Sequence, residues 1–421
     1  MTSNGKRIVL IGGGHAHVKV IKSYGEQPFR SQIESNDLTL TLITNTLQTP
    51  YSGMLPGFVS GHYSHGDIHI DLQRLCQYSG FTLIHDSAVG VTYNDESGGG
   101  TVLLDDGEPV PYDVLSIDVG SSPGGLPTNS NDEEKQKDTD VSAIPVKPIS
   151  TFSSRYDDLK SRLRESAEIY TKSNPFTLLV VGGGAGGIEL ALSCQFALKE
   201  VMKNAGGDAD AIKVVLATRG NALLESHNKK VRKIFTRIMK ERDVATYYNA
   251  NAIGVEQVEG SCMKMLKLSN QEASSSHQRI VFHECLWCTS AGAASWLSGN
   301  TPFATTGDGF VKVGSTYECI EHVRVFAAGD CCHSVESPRP KAGVFAVRAG
   351  PILRDNILAA ALGQPLTKHK PQSDFLSLIS TGDKYAVASR GRFAFEGAYL
   401  WRLKDHIDTS WMRDYQDIAI E

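Results

Sequence analysis

Two glycine-rich turns of the same kind, about 170 residues apart, constrain this chain more than any other feature. The first closes Ile8-Val9-Leu10-Ile11-Gly12-Gly13-Gly14. The second closes Leu178-Leu179-Val180-Val181-Gly182-Gly183-Gly184-Ala185-Gly186-Gly187. Each follows a short, β-branched apolar run that favours a strand, and each opens into a stretch that suits a helix. That order places free backbone N–H groups at a helix N-terminus, where a pyrophosphate is held. A single such turn is a common loop. Two of them in 421 residues point to two dinucleotides held face to face.

At the second turn Gly182, Gly184 and Gly187 complete Gly-x-Gly-x-x-Gly, with Glu189 two residues on. The first glycine serves the tight turn, the second the close approach of phosphate, and the third the helix–strand contact. The next strand ends Thr218-Arg219-Gly220, without the carboxylate that would accept a ribose 2′-OH. Arg219 suits a 2′-phosphate, so NADH and NADPH both stay open. The first turn departs from the pattern, because His17 takes the third glycine position. The strand Leu38–Ile43 likewise runs into Thr44-Asn45 where an acid would stand. Support comes from Val325-Phe326-Ala327-Ala328-Gly329-Asp330, an apolar strand that breaks at Ala-Gly-Asp. Such a break aims Asp330 and a helix N-terminus at ribityl hydroxyls and phosphate; a helix-capping aspartate is the plainer alternative.

A chain of this length exceeds one ordinary core and fits two or three domains. The 41% apolar and 21% charged composition is that of a globular protein, and a net charge of −5 argues against nucleic acid as a partner. No run of 18 apolar residues is present. The N-terminal residues are read as entering the first strand at once, with no room for a signal peptide, and the protein is expected in the cytoplasm or another reducing compartment. Eight scattered cysteines form no secreted framework and no metal site. Cys285-Leu286-Trp287-Cys288 has dithiol spacing, but it falls in a strand over 280–288, where positions three apart face opposite sides. Cys331 and Cys332 are read as packing beside a loop.

The pattern predicts a strand over 7–12, a helix near 15–25, and a shaped loop rich in Gly, Pro and aromatics over 49–57. A strand over 112–118 leads to Gly120. The polar run 126–141 reads as a solvated, mobile insertion. A helix across 151–172, a strand at 212–217 and a basic helix near 228–242 follow, the last with Val231, Ile234, Phe235 and Ile238 at helical spacing. After a polar loop over 269–278, the strand 280–288 is expected to return and close the first, discontinuous domain. Over 399–415, Leu400, Leu403, Ile407, Trp411 and Tyr415 share one helical face. Core or dimer contact is the favoured reading, ahead of peripheral contact with a membrane.

On these motifs the chain resembles the two-dinucleotide flavoproteins of the pyridine nucleotide-disulfide oxidoreductase superfamily. It is similar to a branch holding type II NADH dehydrogenase-like reductases and the flavoprotein domain fused to selenide water dikinase. The segments that carry the likeness are 12–17, Pro50-Tyr51-Ser52-Gly53-Met54-Leu55-Pro56-Gly57, Arg339–Arg348, Phe375–Asp383 and Trp401–Asp408. The resemblance covers nearly the whole chain. It implies an α/β fold with two Rossmann-like, glutathione-reductase-like domains, the NAD(P)H domain inserted into the FAD domain, and a C-terminal α/β segment. The implied boundaries are 1–150 and 284–360 for FAD, 151–283 for NAD(P)H, and 361–421 for the last segment.

The resemblance further implies FAD as cofactor, NADH or NADPH as donor, and hydride transfer between them. Gly12, Gly13, Gly14, His15, Ala16, Thr44, Tyr51, Gly120, Gly182, Gly184, Gly187, Arg219, Gly329 and Asp330 are the candidate cofactor-binding residues. Glu189 is a candidate catalytic group beside the nicotinamide, with helix-dipole compensation as its alternative. Lys341 is a candidate charge for the reduced flavin, with a plain surface lysine as the alternative. The chain lacks the active cysteine pairs of the superfamily's disulfide reductases, so electrons are expected to leave the flavin directly for a small, quinone-like acceptor. Val344 and Arg348 stand where type II quinone reductases usually carry glutamines. A selenium- or sulfur-metabolism reductase, and a slow redox-sensing flavoprotein, are the rival readings.

Overall fold

The structure, a computed structural model, describes residues 5–124, 143–147, 149–269, 279–289, 291–372 and 375–419. The run 126–141, expected to be an insertion, lies outside them, as does most of the polar loop 269–278.

Two five-stranded parallel sheets organise the chain. In the first, Arg7–Ile11 pairs with Thr39–Thr44 on one side and Val114–Ile117 on the other. Thr82–His85 and Val325–Ala327 complete the edges. In the second, Phe176–Val181 pairs with Ile212–Ala217 and Glu284–Trp287, with Ala245–Tyr247 and Ile144–Pro145 outside them. In both, the glycine-turn strand stands where the strand order reverses, the place at which α/β sheets bind ligands.

Four strands of each sheet follow the same chain order, the outer strand coming last in the first sheet (Val325–Ala327) and first in the second (Ile144–Pro145). Just before the strand that arrives beside the glycine-turn strand, each inserts a three-stranded antiparallel meander. These meanders are Ala88–Asn94, Gly99–Leu104 and Val110–Tyr112 in the first half, and Ala252–Gln257, Lys264–Leu268 and Val281–Phe282 in the second. This corrects the expectation for 280–288. That run is two strands broken at His283. Its second half pairs Leu178↔Glu284 through Val181↔Trp287, so it returns to the second sheet. The return to the first sheet is made by Val325–Ala327 instead, so a boundary at 283/284 cuts a strand from its own sheet.

Alternation along the second sheet sorts side chains to two cores. Leu178, Val180 and Leu286 join one, while Leu179, Val181, Cys285 and Trp287 join the other. Cys288 packs on the first of these, so the two cysteines of the Cys-x-x-Cys spacing face opposite sides as expected. Helices His15–Tyr24 and Ala185–Asn204 follow the two turns. The helices expected at 151–172 and 228–242 are found at Ile149–Glu165 and Lys229–Glu241. The last segment folds as a sheet of Ser377–Ser380, Ala386–Arg390 and Phe393–Gly397 followed by the helix Ala398–Gln416. That helix buries Leu400, Met412 and Tyr415 but leaves Leu403 and Ile407 exposed, so the apolar stripe is only partly core. Among the described residues no helix is long and apolar enough to cross a membrane.

Gly182 sits at φ +135°, and a Cβ there would lie 2.3 Å from the Cys288 carbonyl oxygen. Gly184 has ordinary extended φ, with nothing within 4 Å of a built Cβ. Gly182→Ala is expected to destabilise the fold by ~2 kcal/mol or more, and Gly184→Ala by ~1 kcal/mol or less, in urea unfolding followed by circular dichroism.

Candidate active site

The first glycine of each turn is wedged between two strand ends. Gly12 N donates to Ile43 O at 2.8 Å, and Gly182 N donates to Ala217 O at 2.8 Å. On their other sides, a Cβ at Gly12 would lie 2.5 Å from Asp118 O, the counterpart of Cys288 O at Gly182. Only glycine tolerates both that approach and φ +88° at position 12. Gly187 lets helix meet turn, since its Cβ would fall 2.1 Å from Gly182 O.

His17 does the corresponding work at the first turn by hydrogen bonding. Its ring is wholly buried, with Nδ1 2.6 Å from Gly12 O and Nε2 2.8 Å from Ser116 Oγ. A carbonyl only accepts, so Nδ1 donates and Nε2 accepts from the Ser116 hydroxyl. Burial lowers its pKa to about 4, in keeping with a neutral ring.

The two helix N-termini differ. Among the described residues no side chain caps the N-terminus of Ala185–Asn204. At His15–Tyr24, Asp118 Oδ2 accepts from Ala16 N at 2.8 Å and His17 N at 3.2 Å. The same carboxyl fills the space beside Gly14 and Gly329. Sequence reading did not single out Asp118 as a site residue.

Asp330 follows Gly329, which has φ +69°. It caps no helix. Its carboxylate accepts from Lys147 Nζ at 2.8 Å and from Ser121 Oγ at 3.3 Å, just past Gly120. Lys147 is a partner that the sequence reading missed. Lys341 donates to Cys332 O and lies 3.9 Å over the Phe310 ring, lining one cavity with Gly329 and Asp330. Gly13 packs on Leu72, and the Thr44 hydroxyl is spent on the Thr46 backbone. Arg219 is exposed at the end of its strand, while Glu225, also unforeseen, accepts from Asn221 N close by.

The aromatic loop and the last helix join the two halves. Tyr51 packs against Trp411, with the rings tilted by 31° and their centroids 4.3 Å apart, and meets the His15 ring edge-on at 5.4 Å. Its hydroxyl donates to Asp408 Oδ1 at 3.2 Å. Lys404 pairs with Asp408 at 2.5 Å and donates to Gly53 O at 2.6 Å, with little of either side chain exposed. Glu189 Oε1 accepts from Ser380 N at 2.8 Å and Ser380 Oγ at 3.0 Å. Burial raises the Glu189 carboxyl, and the nearby Lys404 charge and Ser380 bonds oppose the rise. Lys404, Asp408 and Ser380 fall in segments that carried the resemblance, but no sequence pattern assigned them a role.

Comparison with known proteins decides the family. The pyridine nucleotide-disulphide oxidoreductase profile matches residues 6–350. The chain belongs to that family. Membership identifies the two dinucleotides as FAD and a pyridine nucleotide, and the paired switch-point turns fit them. The chain is 26% identical over 260 residues to the NADH dehydrogenase-like protein YutJ of Bacillus subtilis, a match spanning 60% of this chain and 59% of that protein. Its fold is similar to the sulfide:quinone oxidoreductase of Aquifex aeolicus, with TM-score 0.73, 16% identity, and 99% and 92% of the two chains covered. It is also similar to NDH2 of Plasmodium falciparum, solved with NADH, with TM-score 0.71, 13% identity and 98% of each chain covered.

Burial, more than any neighbour, raises the Asp118 carboxyl to about 7. The Ala16 and His17 amides oppose this and the Asp330 charge adds to it. An unfolded aspartate ionises near ~4. Between these values the folded chain holds a proton that the unfolded chain has lost, so stability falls as pH rises through the window. Asp118→Asn keeps an acceptor for both amides. It is expected to be more stable than the parent at about pH 8 and to lose that advantage below about pH 5, read from urea midpoints.

Proposed function

We propose that this family member is an FAD-dependent oxidoreductase that takes hydride from NADH or NADPH. The electrons pass to a small quinone-like acceptor without a thiol relay. One observation carries the reading: a line of side chains, His15–Tyr51–Asp408–Lys404, runs from the first dinucleotide turn along the last helix, and Ser380 of the same C-terminal segment holds Glu189 on the helix of the second turn. On this reading the reactive ends of the two bound dinucleotides meet beside this line. Bound at the first turn, FAD supplies the two-electron acceptor for a nicotinamide hydride.

The protein's own contribution is placement and charge. Gly182 to Gly187 and the uncapped helix N-terminus hold the pyrophosphate of the nucleotide. Glu189, fixed by Ser380, orients the nicotinamide, and its raised pKa suits it to hold a proton there. Lys341 places a cation beside the flavin, and Trp411 with Tyr51 covers the first turn against water. Burial pushes the thiols of Cys331 and Cys332 up, Cys332 to about 12, which disfavours the thiolates that a relay needs.

The visible spectrum of the purified protein, followed by parallel anaerobic titrations with NADH and NADPH, tests the reading. The expected result is a yellow protein bleached by nucleotide and recoloured by a soluble quinone. Material that takes up no FAD, or a flavin that neither nucleotide reduces, refutes it. In steady-state turnover with a soluble quinone, Arg219→Ala is expected to raise KM for NADPH on the order of tenfold and to leave KM for NADH within about twofold.

A further inference from the structure

We infer that the electron acceptor carries an acidic group (carboxylate, sulfonate or phosphate) and that Arg339 and Arg348 bind it. The inference deepens the proposed function and rests on its reading that a small acceptor takes electrons directly from the flavin. A cavity of about 200 Å³ is lined by Arg339, Phe345, Arg348, His369, Lys370 and Gln372. Three of the six side chains are cationic and none is a carboxylate. Arg339 Nε is buried without a hydrogen-bond partner, and among the described residues neither arginine nor Lys370 forms an ion pair. Clustered cations without a counter-charge repel one another, and an anionic ligand removes that cost while satisfying the orphaned N–H.

The cavity adjoins the proposed flavin site. Arg339 and Phe345 also line the neighbouring cavity, which holds Gly329, Asp330 and Lys341. Lys341 is already engaged by Cys332 O and the Phe310 ring, so it does not supply the free charge. His369 is tied to the Tyr317 hydroxyl at 2.7 Å and its pKa is lowered by burial. Phe345, edge-on to Phe375 at 5.1 Å, gives a planar molecule an apolar wall. Arg339 already lies over the Phe345 ring, 5.8 Å from its centroid, but neither guanidinium has a counter-ion among the described residues. A ring with one acidic substituent supplies it; a wholly neutral quinone would not.

The test is calorimetric binding to the flavin-loaded protein of two non-redox probes, naphthalene-2-sulfonate and its neutral counterpart naphthalene-2-sulfonamide. The sulfonate is expected to bind at least about tenfold tighter, with an advantage that shrinks in high salt. Arg348→Gln should bring the two probes to within about twofold, and Lys370→Gln at the exposed rim should reduce the preference by about threefold. Equal binding of the probes, or a preference untouched in both variants, overturns the inference. So does sulfonate binding confined to flavin-free protein, which would assign the cations to the cofactor's phosphates. Turnover of neutral quinones without any sulfonate preference removes this inference and leaves the proposed function standing. A flavin that neither nucleotide reduces removes the function itself.

Discussion

Two points where a glycine Cα presses against the carbonyl of a neighbouring strand hold the architecture together. Gly12 lies between Ile43 O and Asp118 O, and Gly182 between Ala217 O and Cys288 O. In each case the neighbouring strand replies, since Asp118 N donates to Ile11 O and Cys288 N donates to Val181 O. A side chain at either glycine would push the return strand off the sheet and close the crevice at the strand-order reversal. The meanders follow from the same demand. Each return strand must arrive parallel and directly beside the glycine-turn strand, so the chain needs a crossover long enough to come back.

The last segment completes what the sheets begin. Lys404 and Asp408 are nearly buried, and an ion pair removed from water holds its place only when its remaining hydrogen-bonding groups are met. Here Gly53 O and the Tyr51 hydroxyl meet them, both from the loop beside the first turn. The pair therefore fixes the last helix over the aromatic loop, while Ser380 in the same segment holds Glu189 from the second-turn helix. One segment thus sets the geometry at both dinucleotide turns.

Local signals made both turns, their helices and the central strands legible. Glycine spacing and apolar runs report backbone demands that neighbouring residues create. What stayed hidden was long-range. Nothing near Glu284 distinguishes a strand of the second sheet from one returning to the first; only the pairing with Leu178–Val181 does. Lys147, Asp118, Lys404 and Asp408 act through partners far away in sequence, and nothing in their local sequence names those partners. The exposed Leu403 and Ile407 show the converse, an apolar face that periodicity alone would bury.

The first turn's departures from the glycine pattern belong together. A histidine at the third glycine position cannot let helix and turn touch as Gly187 does, so its ring must bridge them. That bridge needs a carbonyl at one nitrogen and a hydroxyl at the other, and Ser116 supplies the second from the adjacent strand. Two residues on, the same strand presents Asp118 to the amides of Ala16 and His17. The helix is therefore stitched to the strand Val114–Ile117 and its extension by side chains, where the second turn relies on bare backbone contact. Replacing His17 by glycine alone would restore the familiar spacing and strand Ser116 without its partner in a wholly buried site, so the consensus residue is the wrong residue in this context.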